Sequence, residues 1–278
     1  MIVDSTTATD PPRPCWWQLW AKSGQGGGGG NYHPLWKHLI DAAAVSLALP
    51  NPLTRFGWSD TQTALFVGLH DIGKADGAFQ RQDADLFKSL PQAYRGTAAG
   101  DARCRHERLS ARFIRNKLTE AGSDSFTASA LARAVLAHHG YWDEAARDVG
   151  GAYAKAQDEL CCMLEQVLRI TGLLTAVPDD LSAFGMRLAG HIVLCDWIAS
   201  NEKFFTDSRL KGIDDPSAYL VKAKDVASEW PLHLGFERNR EAGKPTCIVE
   251  SARPIQQALL TTDIPPGLVI IEAPMGEG

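Results

Sequence analysis

From Pro34 to about Gly235, apolar residues recur at the three- and four-residue spacing of amphipathic helices, one segment after another. PLWKHLIDAAAVSLAL places a proline near the first helical position, where its missing N–H is not needed, and stops before Pro50. Ser59 or Asp60 can cap TQTALFVGLHDIGKA. HERLSARFIRNKLTEAG and FTASALARAVLAHHG each end at a glycine, as helices often do. AYAKAQDELCCMLEQVLRITGLL, LSAFGMRLAGHIVLCDWIASNEKFF and PSAYLVKAKDVASEW extend the helical pattern. No strand alternation and no internal repeat interrupts it. The pattern predicts an all-α domain over residues 31–240.

The flanks read differently. Residues 1–30 form a flexible N-terminal segment, rich in Thr and Pro at first and then carrying the run Gly24-Gln25-Gly26 to Gly30. Glycine loses the most backbone entropy on ordering, so this run predicts a loop. A phosphate-cradling loop would need a preceding strand and a Lys-Ser/Thr, which are missing. After about Lys244, TCIVES and GLVIIEAP are short Ile/Val-rich runs that suit buried strands, with RPIQQALLTTD a short helix between them. Residues 241–278 are thus a short α/β tail. VIIEAPMGEG reads as a strand entering a P-loop, with the chain stopping at Gly278 where the P-loop lysine would follow. No ATP binding is expected of this chain.

Composition narrows the class. Hydrophobic residues make up 45%, enough for a real core, and the 22% of charged residues argue against wholesale disorder. The formal net charge of −5 counts against nucleic-acid binding by charge alone, yet leaves room for an enzyme whose metal ions supply positive charge at a phosphate. The six cysteines lack both zinc-ribbon spacing and the density of a secreted disulfide framework, and read as reduced thiols. A basic segment followed by an apolar core is missing from the N-terminus, and no unbroken run of eighteen apolar residues occurs. The expectation is a soluble, cytoplasmic protein without a membrane partner.

Chemistry concentrates in seven residues of these helices. His38 lies in LWKHLIDAA, His70 and Asp71 in GLHDIGK, His106 in HERLSARF, His138 and His139 in LAHHG, and Asp196 in LCDWIAS. Buried imidazoles and carboxylates must find partners or lose their charge at a cost of several kcal/mol. Around a metal they satisfy one another. Neutral imidazole and carboxylate donors suit divalent transition metals such as Mn, Fe, Co and Ni. Asp71, beside His70, is the natural bridge between two ions held about 3.5–4 Å apart. Singly, each residue is a weak signal; the ordered set is strong.

That order resembles the HD superfamily of metal-dependent phosphohydrolases. The doubled histidine, the separate His106, the Phe79-Gln80 that follow HDIGK, DWIASNE, and RPIQQALL before VIIEAPMGEG are similar in particular to the HD nuclease domain of the signature helicase-nuclease of type I CRISPR-Cas systems. The resemblance implies an HD helical domain followed by the start of a RecA-like superfamily 2 helicase domain. It implies a two-metal nuclease for single-stranded DNA, and, in the full-length protein, a crRNA-guided Cascade-type surveillance complex as partner. Carried over by position, His70, Asp71 and Asp196 would ligate one metal, with His38 in or beside that shell. Asp71 would bridge to a second metal held by His106, His138 and His139. Asp71 and Lys74 are the catalytic candidates, Lys74 for the scissile phosphate or the transition-state charge; otherwise Lys74 is a solvated lysine at a helix end.

Gly140 can take a positive φ, so both neighbouring imidazoles are expected to face the second metal with His106. His33 is expected in a loop, His191 as a structural or ligand-supporting residue, His233 at the surface or in a loop, and Trp142 at the rim of the site. Two other readings remain: an HD phosphohydrolase for nucleotides or cyclic dinucleotides, and a partner-docking HD module.

Overall fold

The computed structural model describes residues 14–23, 32–96, 105–140, 146–170, 172, 179–201, 205 and 208–234. The chain divides into two compact units, Met1–Ser228 and Glu229–Gly278. Apart from the end of the last helix, the second unit lies outside the described residues, and so does the α/β tail expected there. The glycine run and Trp142 also lie outside them.

The first unit is all-α, as the periodicity predicts. The helices are α1 (Leu35–Ala48), α2 (Asp60–Gly68), α3 (Gly77–Gln80), α4 (Ala84–Ser89), α5 (Gln92–Arg95), α6 (His106–Glu120), α7 (Ser125–Leu136), α8 (Gly151–Leu168), α9 (Leu181–Ala199) and α10 (Pro216–Leu234). Ser59 caps α2, and Gln62 returns the bond to the Ser59 N–H, a complete capping box. Helix α1 is apolar nearly all round and buries most of its length, including Trp36, Leu39, Ile40 and Val45. It lies against α2 and α9, while α7 packs on α6 and α9.

Three departures from the sequence reading shape the site. TQTALFVGLHDIGKA is not one helix: α2 ends at Gly68 and a 3-10 segment, Leu69–Lys74, carries His70, Asp71 and Lys74. Likewise α7 stops at Leu136, and a 3-10 turn, Ala137–His139, holds the doubled histidine. Part of the expected flexible start is ordered: Cys15–Gln18 is a 3-10 turn with Trp16 buried, followed by strand β1 (Trp20–Ser23). Strand β2 (Tyr32–Pro34) pairs with it antiparallel, Lys22 opposite His33. His33 therefore sits in a strand, and His233 lies in helix α10, neither in a loop.

Helix α9 is long and apolar enough to cross a membrane by length and composition, with a mean hydropathy of 1.2. It buries Phe184, Leu188, Ile192 and Cys195, leaves Met186, Leu194 and Trp197 exposed, and carries Asp196.

Candidate metal centre

A glycine sets the distance between the two halves of the site. A Cβ on Gly73 would lie 2.0 Å from the His106 carbonyl oxygen and 2.7 Å from the Ser110 nitrogen. Only glycine lets the Leu69–Lys74 segment rest on the first turn of α6, where the Gly73 N–H donates to Ser110 Oγ at 2.8 Å. That contact brings His106 over Asp71, with His106 Nε2 3.1 Å from Asp71 Oδ1.

The two 3-10 turns work alike. The last carbonyls of a helix are open to side-chain donors. His70 Nδ1 donates to Val67 O at 2.7 Å and His138 Nδ1 donates to Val135 O at 2.5 Å, each beside the backbone N–H of the helix cap. Each bond fixes the ring and its tautomer, and aims Nε2 at Asp71.

Asp71, 2% exposed, stands at the centre. Its Oδ2 lies 2.8 Å from His38 Nε2, 3.3 Å from His70 Nε2 and 2.7 Å from Lys74 Nζ. Its Oδ1 faces the other way, towards His106 and towards His138 Nε2 at 3.6 Å. Asp196 Oδ1 is 3.4 Å from His70 Nε2 and 3.9 Å from His38 Nε2, and accepts from Ser200 Oγ at 2.8 Å. His139 Nε2 is 3.2 Å from His106 Nε2. Gly140 takes φ 77°, and the turn it closes brings both neighbouring imidazoles to one cluster, His138 buried and His139 exposed.

All seven residues singled out in the sequence come together, in two sets that share Asp71: His38, His70, Asp71 and Asp196, and Asp71, His106, His138 and His139. Within each set the donor atoms lie within 4.8 Å of one another. His70 Nε2, His138 Nε2 and Asp71 Oδ1 are buried without an aligned hydrogen bond. Unpartnered buried donors of this kind, imidazole nitrogen and carboxylate oxygen, fit divalent cations.

The electrostatics agree. With Nδ1 committed to Val67, a neutral His70 would turn its Nε2 lone pair on two carboxylates. Burial opposes its cation, but Asp71 and Asp196 outweigh burial and hold the pKa up at about 10. Burial likewise disfavours both carboxylates, yet His70, with Lys74 and His106 at Asp71, keeps Asp71 and Asp196 well below the usual range. His38 is driven down to about 3 by burial and then by Lys74, so it is a neutral imidazole. Burial, then His138 and His106, lowers His139 too.

Lys74 is not a solvated helix-end residue. It is 8% exposed and ion-paired to Asp71, with its ammonium 5.6 Å from the centre of the Phe79 ring.

Sequence reasoning passed over several residues here. Asp41, fully buried, accepts from His33 Nε2 at 2.7 Å and from Tyr219 OH at 2.9 Å, tying β2, α1 and α10 together behind His38. Asp41 is one helical turn from His38, the one signal that could have found it. Glu107, 1% exposed, pairs with Arg105 and lies 3.6 Å from His106 Nδ1. Lys22 is half-buried; burial and then Lys74 lower its pKa, while Asp196, Asp41 and Asp71 pull the other way. His191, which the sequence did single out as structural or ligand-supporting, shares a hydrogen bond of 2.9 Å with Ser46, joining α9 to α1, the helices of Asp196 and His38.

Comparisons with known proteins agree with this geometry. A sequence profile described as Cas3, HD domain matches residues 20–205. The chain is 30% identical over 304 residues to a CRISPR-associated endonuclease/helicase Cas3 of Thermus thermophilus, an alignment covering 94% of this chain and 31% of the relative. Its fold is similar to the crystal structure of the Thermus thermophilus Cas3 HD domain in the presence of Ni2+ (TM-score 0.56, 28% identity, 80% of this chain and 91% of that one). A chain in a CRISPR RNA-guided surveillance complex, pre-nicking, shares the fold at a TM-score of 0.60 and 22% identity, over 82% of this chain and 29% of its own. The chain spans about a third of the length of the curated relatives it matches.

Proposed function

This chain belongs to the Cas3 HD domain family, and from that premise we propose that it is a metal-dependent nuclease that cuts single-stranded DNA during type I CRISPR interference. The observation that carries the reading is the division of one carboxylate: Asp71 turns Oδ2 to one donor set and Oδ1 to the other. His38, His70, Asp71 and Asp196 would hold one ion, and Asp71, His106, His138 and His139 the second. Imidazole-rich donors favour Mn, Fe, Co or Ni over Mg. When bound, two such ions lower the pKa of a water towards about 7 and clamp both oxygens of a phosphodiester displacement.

The protein's own residues set the conditions for that chemistry. Asp71 fixes the spacing of the two donor sets. Val67 O and Val135 O keep His70 and His138 with Nε2 facing inward. His139 is the exposed donor among the seven, and the strand would enter from its side. Lys74 leaves Asp71 to meet the phosphate as negative charge grows on it. In the full-length protein, a RecA-like helicase following this domain would feed in the strand, recruited in the cytoplasm by a crRNA-guided Cascade-type complex.

Digestion of circular single-stranded DNA, with Mn, Co, Ni, Fe or Mg added singly beside a panel of nucleotides, tests the reading. Linear and shortened products with transition metals, and little with Mg, are expected. Full activity with Mg alone, or hydrolysis of nucleotides and not DNA, would overturn it.

A further inference from the structure

We propose that Gln80 is a positioning residue for Lys74, clamping the lysine's backbone to strand β1 so that its ammonium is held at the phosphate. The inference rests on the reading above in which Lys74 meets the scissile phosphate.

Gln80 is wholly buried, and its carboxamide is used at both ends. Oε1 accepts from the Trp20 N–H at 3.2 Å, and Nε2 donates to the Trp20 carbonyl at 2.9 Å. The side chain thus does for Trp20 what a neighbouring strand would do, pairing both backbone groups of one residue. Its second N–H donates to the Lys74 carbonyl at 3.0 Å. Lys74 ends a 3-10 segment, and its carbonyl also accepts from the Asp76 N–H at 2.8 Å, so the bond from Gln80 is what ties that turn to β1. Three hydrogen bonds from one amide therefore hold together two backbones that are distant in sequence.

No other side chain can do this. Glutamate has no N–H to donate, asparagine is one methylene short, and methionine offers neither group. The preceding residue completes the cradle. The Phe79 ring lies 4.8 Å from that of Trp20 and 5.5 Å from that of His106, and beside the Lys74 ammonium. A lysine stem has four rotatable carbons, so its head is only as well placed as its backbone and the groups that flank it. At rest Asp71 pairs with the ammonium, and Gln80 keeps the backbone in place when the ammonium leaves Asp71 for the phosphate.

A double-mutant cycle tests this on the metal-loaded chain, with Gln80→Met, Lys74→Met and the double variant assayed for kcat and KM on single-stranded DNA. Nickel content and Tm are measured in parallel. Gln80→Met should lower kcat by on the order of ten- to a hundredfold, the scale of a misplacement of about 1 Å, with KM little changed. Nickel content should hold, and in the Lys74→Met background the second change should lower kcat no further. Equal loss in both backgrounds, loss of nickel, or an unchanged kcat for Gln80→Met would overturn the proposal. Undiminished kcat for Lys74→Met would instead remove the phosphate role of Lys74, a separate failure. Should Gln80→Met not fold, Gln80→Asn, which keeps the amide but draws it back, goes through the same cycle with the same outcomes.

Discussion

Asp71 joins the two donor sets with a single side chain, so it is the residue whose loss the site can least absorb. Asp71→Ala would leave Lys74 buried without its carboxylate and His70 with Asp196 alone, a cost of about 3–5 kcal/mol to the fold. Asp71→Asn keeps the shape and removes the charge, and is the cleaner probe. Its nickel content should fall to one ion per chain or none, with DNA cleavage at background; two ions by mass spectrometry would show that Asp71 does not bridge. His70 gives a second handle. Without metal it carries a proton, with a pKa held up to about 10, and a ligand must be deprotonated. Loading at neutral pH should therefore release about one proton from His70 for the ion it joins, and affinity should rise with pH. Calorimetry in two buffers of different ionisation enthalpy measures this, and proton release undiminished in His70→Ala would refute the assignment. The seven donors were legible as residue types and order. Asp41 and Glu107 were not, and Gln80 was legible only as part of a family motif, because a buried carboxylate or amide is defined by its partners, and those of Asp41 and Gln80 lie far away in sequence.

At the scale of elements, the helices were legible because each has an apolar face. Their interruptions were not. LHDIGK and LAHHG continue the apolar pattern of the helices before them, and nothing in that pattern separates an α turn from a 3-10 turn. The hairpin left no alternation to read, since its strands are only four and three residues long. Gly73 shows what a motif glycine can mean. Gly73→Ala puts a methyl carbon into the backbone of α6, which cannot swing aside as a side chain would. The expected cost is about 1–3 kcal/mol of stability, the range for overpacking, and His106 should move off Asp71. Spectroscopy of cobalt-loaded protein would show the second site weakened and the first retained. Gly140→Ala is the control: nothing lies within 4 Å of a Cβ there, so only the strain of φ 77° is added and both sites should fill. If the two variants lost metal equally, close packing at Gly73 would not be the cause.

Across the whole of the first unit, the donor atoms come from α1, the two 3-10 turns, α6 and α9, so an ion held at either set would tie together elements that no short stretch of sequence connects. Without metal, the same centre concentrates two carboxylates, the His70 cation and a lysine in a buried space, a costly arrangement to maintain. Binding to the folded state alone should therefore show as thermal stability. At a free ion concentration of about 100 times Kd the gain is about 2.7 kcal/mol, which for a domain of this size corresponds to a rise in Tm of roughly 5–10 °C. Asp41 supplies the contrast, because it stabilises the same region through His33 and Tyr219 without belonging to either donor set. Asp41→Asn should lower Tm with and without nickel and leave the increment between them intact. Asp71→Asn should shrink the increment itself. Scanning calorimetry of the three proteins, each stripped with chelator and then reloaded, separates the two effects. An increment that survives in Asp71→Asn but disappears in Asp41→Asn would move the ions away from Asp71 and towards the carboxylate behind His38.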